Sequence, residues 1–348
     1  MPNVRPLNKK KYGISKYAFG TAYSYCLQYP EWREELGSRT STVKSPQITG
    51  MPGAHSGSDA TANLAERRVE LREKMQKVED TVREAVGDNK SLYEYLLEYV
   101  TGVSRSQYFL DPEREVPQEQ EAAYRQMIDK RSTHIPLQHL TGEQEFMGLT
   151  FKVNEHVLIP RQDTEVLVEE ALNYVRSGMD ILDVCTGSGC ILLSVLKLGE
   201  KKCRGILHGT GVDLSREALQ VAEENAGRLQ VEATFLHSDL FAEVQEQYDM
   251  ILSNPPYIEK AVVETLEEEV RIHEPRMALD GGEDGLDFYR KITAESVQYL
   301  RKGGRLLFEI GYDQGEAVSA LMKEHFAEVR VIQDLAGLDR VVSGVYCG

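Results

Sequence analysis

The sequence predicts an α/β protein built on a doubly wound sheet. From Asp180 onwards, short apolar runs of strand length alternate with stretches of helical length, which is the pattern of βαβ units. A glycine-containing turn follows the first run, and the tetrapeptide Asn254-Pro255-Pro256-Tyr257 follows the fourth. Open α/β sheets bind ligands outside the carboxyl ends of their strands. Both features therefore predict a binding site at that edge of the sheet.

The composition is that of a globular protein long enough for two domains, or for one large α/β domain with an appendage. The chain has 348 residues, of which 41% are hydrophobic and 28% charged. No apolar run has the length of a membrane span, and the N-terminus lacks the apolar core of a secretory signal. The five cysteines form neither an even framework nor a CxxC pair. We expect a cytoplasmic protein with no metal site and no membrane attachment.

The charge of the chain does not favour broad binding to nucleic acid. The formal net charge is −16, whereas phosphate contacts require a basic surface. Residues 1–50 are an exception, with eight Lys or Arg and three Asp or Glu. They are either a solvated tail or a separate module, and any nucleic-acid binding is expected there.

The front half of the chain divides into three regions. Residues 1–65 form a basic segment that contains a Ser-, Thr-, Gly- and Pro-rich stretch and is expected to be partly disordered or separate. Residues 66–135 are expected to be helical, with helices over 61–86, 91–100 and 117–131, the second stopping at Gly102. Residues 136–160 predict a connecting β-hairpin around Gly148.

The third domain, 161–348, begins with a helix that Asp163 or Thr164 is expected to cap. Its predicted strands share an apolar, β-rich composition and are bounded by polar or glycine-containing segments. They are Ile181–Val184, Ile206–Val212, Ala233–Leu236, Met250–Ser253, Arg305–Ile310 and Glu328–Gln333.

The turn after the first strand, Cys185 to Cys190, predicts a ligand cradle. Glycines allow a ligand close to the backbone, and the helix that follows offers free N–H groups. Asp213 ends the next strand, where a carboxylate accepts hydrogen bonds from ribose hydroxyls; a helix N-cap is the alternative. Leu192 replaces the third glycine of the dinucleotide fingerprint, so a dinucleotide is not specifically indicated. Asp239 lies either near an adenine amino group or simply in solvent.

The Asn254–Tyr257 tetrapeptide predicts a grip for a planar NH2 group. Consecutive prolines fix φ, lack N–H groups and disfavour helix before them. The side chain of Asn254 and the carbonyl of Pro255 are therefore held available to a guest, with Tyr257 over its flat face. The alternative is a proline turn that merely ends a strand.

Several further motifs, taken in order, resemble the PrmC/HemK family of protein-(glutamine-N5) methyltransferases. The resemblance covers about residues 95–348. It is carried by Pro136–Gly142, Glu145–Leu149, Leu158–Glu165, the glycine turn, Asn254–Ile258, His273–Arg276, Ala278–Leu286 and Phe308–Gly311.

This resemblance implies a seven-stranded, Rossmann-like class I methyltransferase domain behind a small helical domain that docks the substrate. It implies S-adenosyl-L-methionine as donor. The implied acceptor is the Gln of the Gly-Gly-Gln loop in class 1 peptide chain release factors. The residues that it places at the cofactor are Cys185, Thr186, Gly187, Ser188, Gly189, Asp213, Asp239, Leu240 and Asn254; at the substrate they are Asn254, Pro255, Pro256 and Tyr257.

Three departures from the family pattern are visible. Cys185 stands where a glycine is common, and Leu240 where some relatives carry an aromatic residue. Residues 1–90 weakly resemble a small phage-encoded protein instead. Two alternatives stay open: a methyltransferase acting on a nucleobase amine, and a phage-type DNA-binding regulator with a passenger methyltransferase domain.

The main task expected of the enzyme is to align the acceptor amide nitrogen with the methyl group of the donor. An amide nitrogen is a poor nucleophile because its lone pair is delocalised. The Asn254 side-chain oxygen and the Pro255 carbonyl are expected to accept one amide hydrogen each, while Tyr257 packs on the Gln side chain. No residue stands out as a general base.

Overall fold

The computed structural model describes residues 90–104, 107 and 115–348. The predictions for the basic segment 1–65 and for a helix over 61–86 lie outside these residues. Within the described ranges, no helix is long and apolar enough to cross a membrane.

The helical part consists of α1 (Lys90–Thr101), α2 (Gln118–Arg131) and the short α3 (Leu137–Thr141). Gly102 ends α1 as expected, since its φ of +66° is a left-handed conformation that glycine adopts freely. Pro117 occupies the N-cap of α2, just before its first turn. The Tyr99 hydroxyl donates to the Thr141 carbonyl over 2.9 Å and joins α1 to α3.

The predicted hairpin is confirmed. Strands β1 (Glu143–Phe146) and β2 (Leu149–Lys152) pair antiparallel. Met147 and Gly148 form the two-residue turn, and both have positive φ, which is the geometry that matches the right-handed twist of a hairpin.

The main sheet has seven strands within the described residues. Their order is β5-β4-β3-β6-β7-β9-β8, and all are parallel except β9, which pairs antiparallel with β7 and β8. The class I methyltransferase fold is therefore confirmed. The strands are β3 (Asp180–Val184), β4 (His208–Asp213), β5 (Thr234–His237), β6 (Tyr248–Ser253), β7 (Leu300–Glu309), β8 (Phe326–Gln333) and β9 (Asp339–Tyr346).

Seven helices follow in this part of the described chain, and those with buried apolar residues pack on both faces of the sheet. They are α4 (Glu165–Leu172), α5 (Cys190–Cys203), α6 (Arg216–Leu229), α7 (Lys260–Val263), α8 (Glu268–His273), α9 (Asp287–Tyr299) and α10 (Gly315–Met322), with 3-10 turns at Gln162–Thr164 and Arg276–Ala278. Alternate residues of one strand enter different core clusters: Ile181 packs on one face and Leu182 on the other. Burial on both faces explains the apolar run Met250–Leu252 of β6. Strand β4 is not such a run, because it contains two glycines and an exposed His208.

Three local expectations need correction. The second strand begins at His208, and Ile206 is 66% exposed instead of lying in the sheet. Strand β7 starts at Leu300, five residues before the predicted Arg305. Thr164 holds the N-cap position of α4, but its side chain makes no capping hydrogen bond.

Candidate active site

A cavity of about 240 Å³ opens at the carboxyl ends of β3, β4 and β6, where the sequence predicts a binding site. Its lining includes eight of the predicted cofactor residues and one more from the tetrapeptide. These are Cys185, Thr186, Gly187, Ser188, Asp213, Asp239, Leu240, Asn254 and Pro256. Gly189, Pro255 and Tyr257 do not line it.

The turn after β3 is a left-handed cradle. Cys185, Gly187 and Gly189 have φ values of +62°, +54° and +76°, so the family's glycine at position 185 has a conformational reason. A Cβ atom at Gly187 would have no heavy atom within 4 Å. A side chain there would therefore occupy free space beside the cavity that a ligand can use.

Asp183 lies directly beneath this turn. It is fully buried, and its carboxylate accepts a 2.7 Å hydrogen bond from the Thr186 hydroxyl. Burial raises the pKa of Asp183 to about 7, and the Thr186 contact opposes this shift. The carboxylate anchors the turn from below but does not line the cavity.

Asp213 is held in place by two backbone groups. One carboxylate oxygen accepts from the N–H of Gly187 over 2.8 Å and the other from the N–H of Ser215 over 2.9 Å. The N-cap of α6 is Ser215, whose hydroxyl accepts from the N–H of Ala218. Asp213 is therefore not the cap, and each of its oxygens keeps a lone pair for a hydroxyl ligand. Burial raises its pKa.

Asp239 and Leu240 follow β5. Asp239 is exposed at the cavity rim, while Leu240 is buried and has a φ of +50°. Ser238 stabilises this turn, because its hydroxyl donates to the Leu240 carbonyl and accepts from the N–H of Glu243. The conformation turns an apolar side chain into the cavity wall.

The Asn254 side chain stands at the boundary between the cavity and the helix α4 region. Its Nδ2 donates to the Thr164 hydroxyl over a long distance of 3.5 Å. Pro255 and Pro256 are buried, and the Tyr257 hydroxyl donates to the carboxyl of Glu309 over 3.4 Å. Burial raises the pKa of Tyr257, so the phenol stays protonated at neutral pH.

A glycine-rich loop packs directly on the tetrapeptide. A Cβ atom at Gly281 would lie 2.6 Å from the Tyr257 Cα, and one at Gly285 would lie 2.4 Å from the Tyr257 carbonyl oxygen. Gln314 closes the arrangement, since its Nε2 donates to the carbonyls of Tyr257 (3.1 Å) and Gly285 (3.3 Å). The backbone after Asn254 is thus fixed from two sides.

The cavity rim is also tied to the helical part. Arg161 pairs with the carboxylate of Glu274, which is 4% exposed and also accepts from the N–H of Ile159. Glu274 directly follows α8. On that helix, Glu269 pairs with Arg131 of α2 at 2.6 Å. The acidic helix α8 therefore makes an inter-element contact.

The end of the seventh strand suggests from the sequence that Glu309 faces the site or makes a hydrogen bond, and it does accept from Tyr257. Sequence reasoning did not find three supporting residues: Thr164 as a partner of Asn254, Gln314 and Asn225. Asn225 is fully buried on α6. Its Oδ1 accepts from the N–H of Lys152, and its Nδ2 donates to the carbonyls of Lys152 and Ser188. It joins the hairpin to the glycine turn across 73 residues, and no local pattern marks such a contact.

Comparisons with known proteins show the family to which this chain belongs. A model of the PrmC N-terminal domain matches residues 73–142, and one of the methyltransferase small domain matches residues 162–283. The release factor glutamine methyltransferase of Caulobacter vibrioides is 43% identical over 273 residues, which cover 76% of this chain and 93% of that one. This chain belongs to the release factor glutamine methyltransferase family.

Two further members of the family match at similar levels. That of Geobacter sulfurreducens is 41% identical and covers 72% of this chain and 87% of its own. That of Bacillus anthracis is 39% identical and covers 74% and 92%. Membership confirms the expected enzyme class, a methyltransferase that uses S-adenosylmethionine. The match to the N-terminal domain begins at residue 73, ahead of the motifs, from about Tyr95, that carry the resemblance in the sequence.

Proposed function

We propose that this member of the family transfers the methyl group of S-adenosylmethionine to the side-chain nitrogen N5 of the Gln in the Gly-Gly-Gln loop of class 1 release factors. The main support for this proposal is the position of Asn254. It directly follows β6 and lines the same cavity as the glycine turn and Asp213. The names of the curated relatives support the same acceptor.

The residues present suit the cofactor. Gly187 leaves open space beside the cavity, and Asp213 keeps lone pairs for ribose hydroxyls. Leu240 offers an apolar surface for a base, with Asp239 at the rim near it. When bound, S-adenosylmethionine supplies an electrophilic methyl group on a sulfonium.

The protein's own contribution is to orient the acceptor amide. We assign the Asn254 Oδ1 and the Pro255 carbonyl as the acceptors of its two N–H bonds. Pro255 is buried, and the proline that follows it restricts its ψ to extended values, which limits the direction of its carbonyl. Two fixed acceptors point the nitrogen in one direction and favour positive charge on it as the new bond forms. Orientation of this kind is worth roughly 7–11 kcal/mol in the best intramolecular models.

Tyr257 contributes a surface and no proton transfer. Its phenol stays protonated because burial raises its pKa, and its hydroxyl is engaged by Glu309. The ring is half-buried, which leaves one part of it for packing on the methylenes of the acceptor Gln. The amide proton leaves to water after transfer.

If a release factor is the acceptor, each region of the chain can be assigned a role. We assign residues 66–135 to docking of the release factor, 136–160 to the connection and 161–348 to methyl transfer. Because release factors act in translation termination, we infer that this protein acts in the cytoplasm. The net charge of −16 and the family match leave the nucleobase amine and the DNA-binding regulator without support.

The test is to incubate the purified full chain with isotope-labelled S-adenosylmethionine and a release factor, and to map the label by mass spectrometry. We expect label on the Gly-Gly-Gln glutamine, its loss in Asn254→Ala, and cofactor binding retained in that variant. Asn173→Ala is the matched control, because Asn173 lies at the end of α4, away from the cavity. Label on nucleic acid, or full activity of Asn254→Ala, would overturn the assignment.

A further inference from the structure

Two segments outside the seven-stranded sheet contribute walls to the cofactor cavity. The first wall segment, residues 156–161, precedes the first 3-10 turn, and the second, residues 275–280, follows α8. Both supply lining residues, which include Leu158, Pro160 and Arg161 from the first and Pro275, Met277 and Ala278 from the second. Because neither segment belongs to the sheet, other contacts must fix the distance between them.

The carboxylate of Glu274 joins the two wall segments. One of its oxygens accepts from the backbone N–H of Ile159 over 3.0 Å, and the other pairs with the guanidinium of Arg161. Glu274 directly precedes the second segment and lies 115 residues from Ile159 in the sequence. Its side chain is 1% exposed, so water does not compete for its oxygens.

This bridge differs from an exposed ion pair. A buried carboxylate is costly unless its oxygens are satisfied, and both oxygens of Glu274 have a partner. The second segment also carries Arg276, which pairs with Glu264, but those side chains are 52% and 56% exposed. Exposed pairs of that kind contribute little because solvent screens them. The buried bridge is therefore the contact that can hold the walls together.

Helix α8 supports Glu274 from the other side. None of its own residues is buried, and it is held by the helical part of the protein. Glu269 pairs with Arg131 at 2.6 Å, and the Nε2 of His273 lies 2.9 Å from the carbonyl oxygen of Thr133. Glu274 thus reaches the first wall segment from an element that is itself anchored.

We propose that Glu274 is a positioning residue that fastens the two wall segments to each other and thereby retains S-adenosylmethionine in the cavity. Glu274 does not line the cavity, so it acts through Ile159 and Arg161 and not by touching the cofactor. Only the cofactor is involved, and the role of Glu274 does not depend on which molecule accepts the methyl group.

Glu274→Gln is the conservative test of this role. The new amide oxygen can still accept from the N–H of Ile159, but the NH2 group would face the guanidinium of Arg161, and two donors would oppose each other. Part of the population should then have the walls apart, and the affinity falls with the fraction that stays competent. We expect the Kd for S-adenosylmethionine to rise by about tenfold, mainly through faster dissociation. The kcat at saturating cofactor should stay within about threefold, because the acceptor grip is unchanged.

The matched control is Glu264→Gln, which makes the same chemical change in the exposed pair with Arg276. Its Kd should stay within about twofold of the wild type. Calorimetry gives the Kd, and a chase of bound isotope-labelled S-adenosylmethionine with unlabelled cofactor gives the dissociation rate. Hydrogen exchange adds an independent measurement, since the amide of Ile159 should exchange faster in Glu274→Ala, which removes its acceptor.

A double-variant cycle tests whether Arg161 acts through Glu274. Arg161→Met leaves Glu274 as a buried, unpaired charge and should by itself raise the Kd by about tenfold. In the Glu274→Gln background the same change should add less than about threefold. Additive effects would mean that Arg161 binds the cofactor directly, and they would overturn the role of Glu274.

Two further outcomes would overturn it: a wild-type Kd in a folded Glu274→Gln protein, or an equal rise of the Kd in Glu264→Gln. Thermal unfolding shows whether each variant is folded. If Glu274→Gln is not, an unchanged Kd in Arg161→Met, whose side chain is 42% exposed in the wild type, overturns the role instead. The binding assays contain no release factor, so a failure to methylate one would overturn the proposed function and leave the role of Glu274 intact.

Discussion

A methyl group added at Gly281 would intrude on the backbone of the Asn254–Tyr257 tetrapeptide. The Cβ of an alanine there would lie 2.6 Å from the Tyr257 Cα and 2.8 Å from the Pro256 carbonyl oxygen. Gly281 does not have a positive φ, so alanine is not excluded by backbone conformation. The effect of Gly281→Ala is therefore steric.

The size of the effect follows from the overlap. Non-bonded carbon atoms pack at about 3.5–4.0 Å, so one of the two segments must move by about 1 Å. A displacement of this size in a positioning element costs about 10²-fold in rate. We expect kcat for release factor methylation to fall by about 100-fold. Overpacking should also lower the free energy of unfolding by about 1–3 kcal/mol.

The assay compares Gly281→Ala with Gly227→Ala under saturating cofactor. Gly227 lies inside α6, and a Cβ atom there would meet nothing within 4 Å. The control should keep its activity. Its free energy of unfolding should rise by about 0.5–1 kcal/mol, because alanine favours a helix more than glycine does. Affinity for S-adenosylmethionine, measured by calorimetry, should change far less than kcat in either variant. A folded Gly281→Ala protein with wild-type kcat would refute the view that this contact sets the position of Asn254.

Three more outcomes are expected. Burial raises the pKa of Asp183 from 3.8 to about 7; the native state then binds its proton more tightly than the unfolded chain. Stability should therefore fall by about 4 kcal/mol as pH rises from 4 to 7, and urea titrations of Asp183→Asn should lack that fall. Asn225→Ala loses three buried hydrogen bonds and should lower the free energy of unfolding by about 3 kcal/mol, with no effect expected from the exposed Asn173→Ala. Burial raises the pKa of Cys190 to about 12, whereas Cys347 is exposed. Iodoacetamide at pH 8 should therefore alkylate Cys347 before Cys190 in peptide maps; equal labelling of the two would contradict the burial of the Cys190 thiol.

The parallel strands could be predicted because their environment is uniform. A strand buried on both faces needs an unbroken apolar run, and Met250–Leu252 is such a run. The sequence pattern does not predict strand β9, because Ser343 and Gly344 interrupt its apolar residues. Its place between β7 and β8 depends on long-range pairing that a local pattern does not encode.

The residues that line the cavity could also be predicted from the sequence. The residues that hold them in place could not. Cys185 and Asn254 each follow a strand directly and Asp213 ends one, so the position of the strand locates the residue. The local sequence of Thr164 predicts a helix cap, yet its side chain contacts Asn254, which lies 90 residues away in the sequence. Gln314 reaches Tyr257 across 57 residues. Such contacts arise only when the sheet is assembled.

The short helix α8 connects the helical part of the protein to the rim of the cavity. It meets α2 through the Arg131–Glu269 pair and continues into Glu274, which anchors Arg161 at the cavity rim. A different front region could be fitted to the same catalytic body if it offered a cation opposite Glu269. Evolution can therefore exchange the part that chooses the partner without rebuilding the part that moves the methyl group.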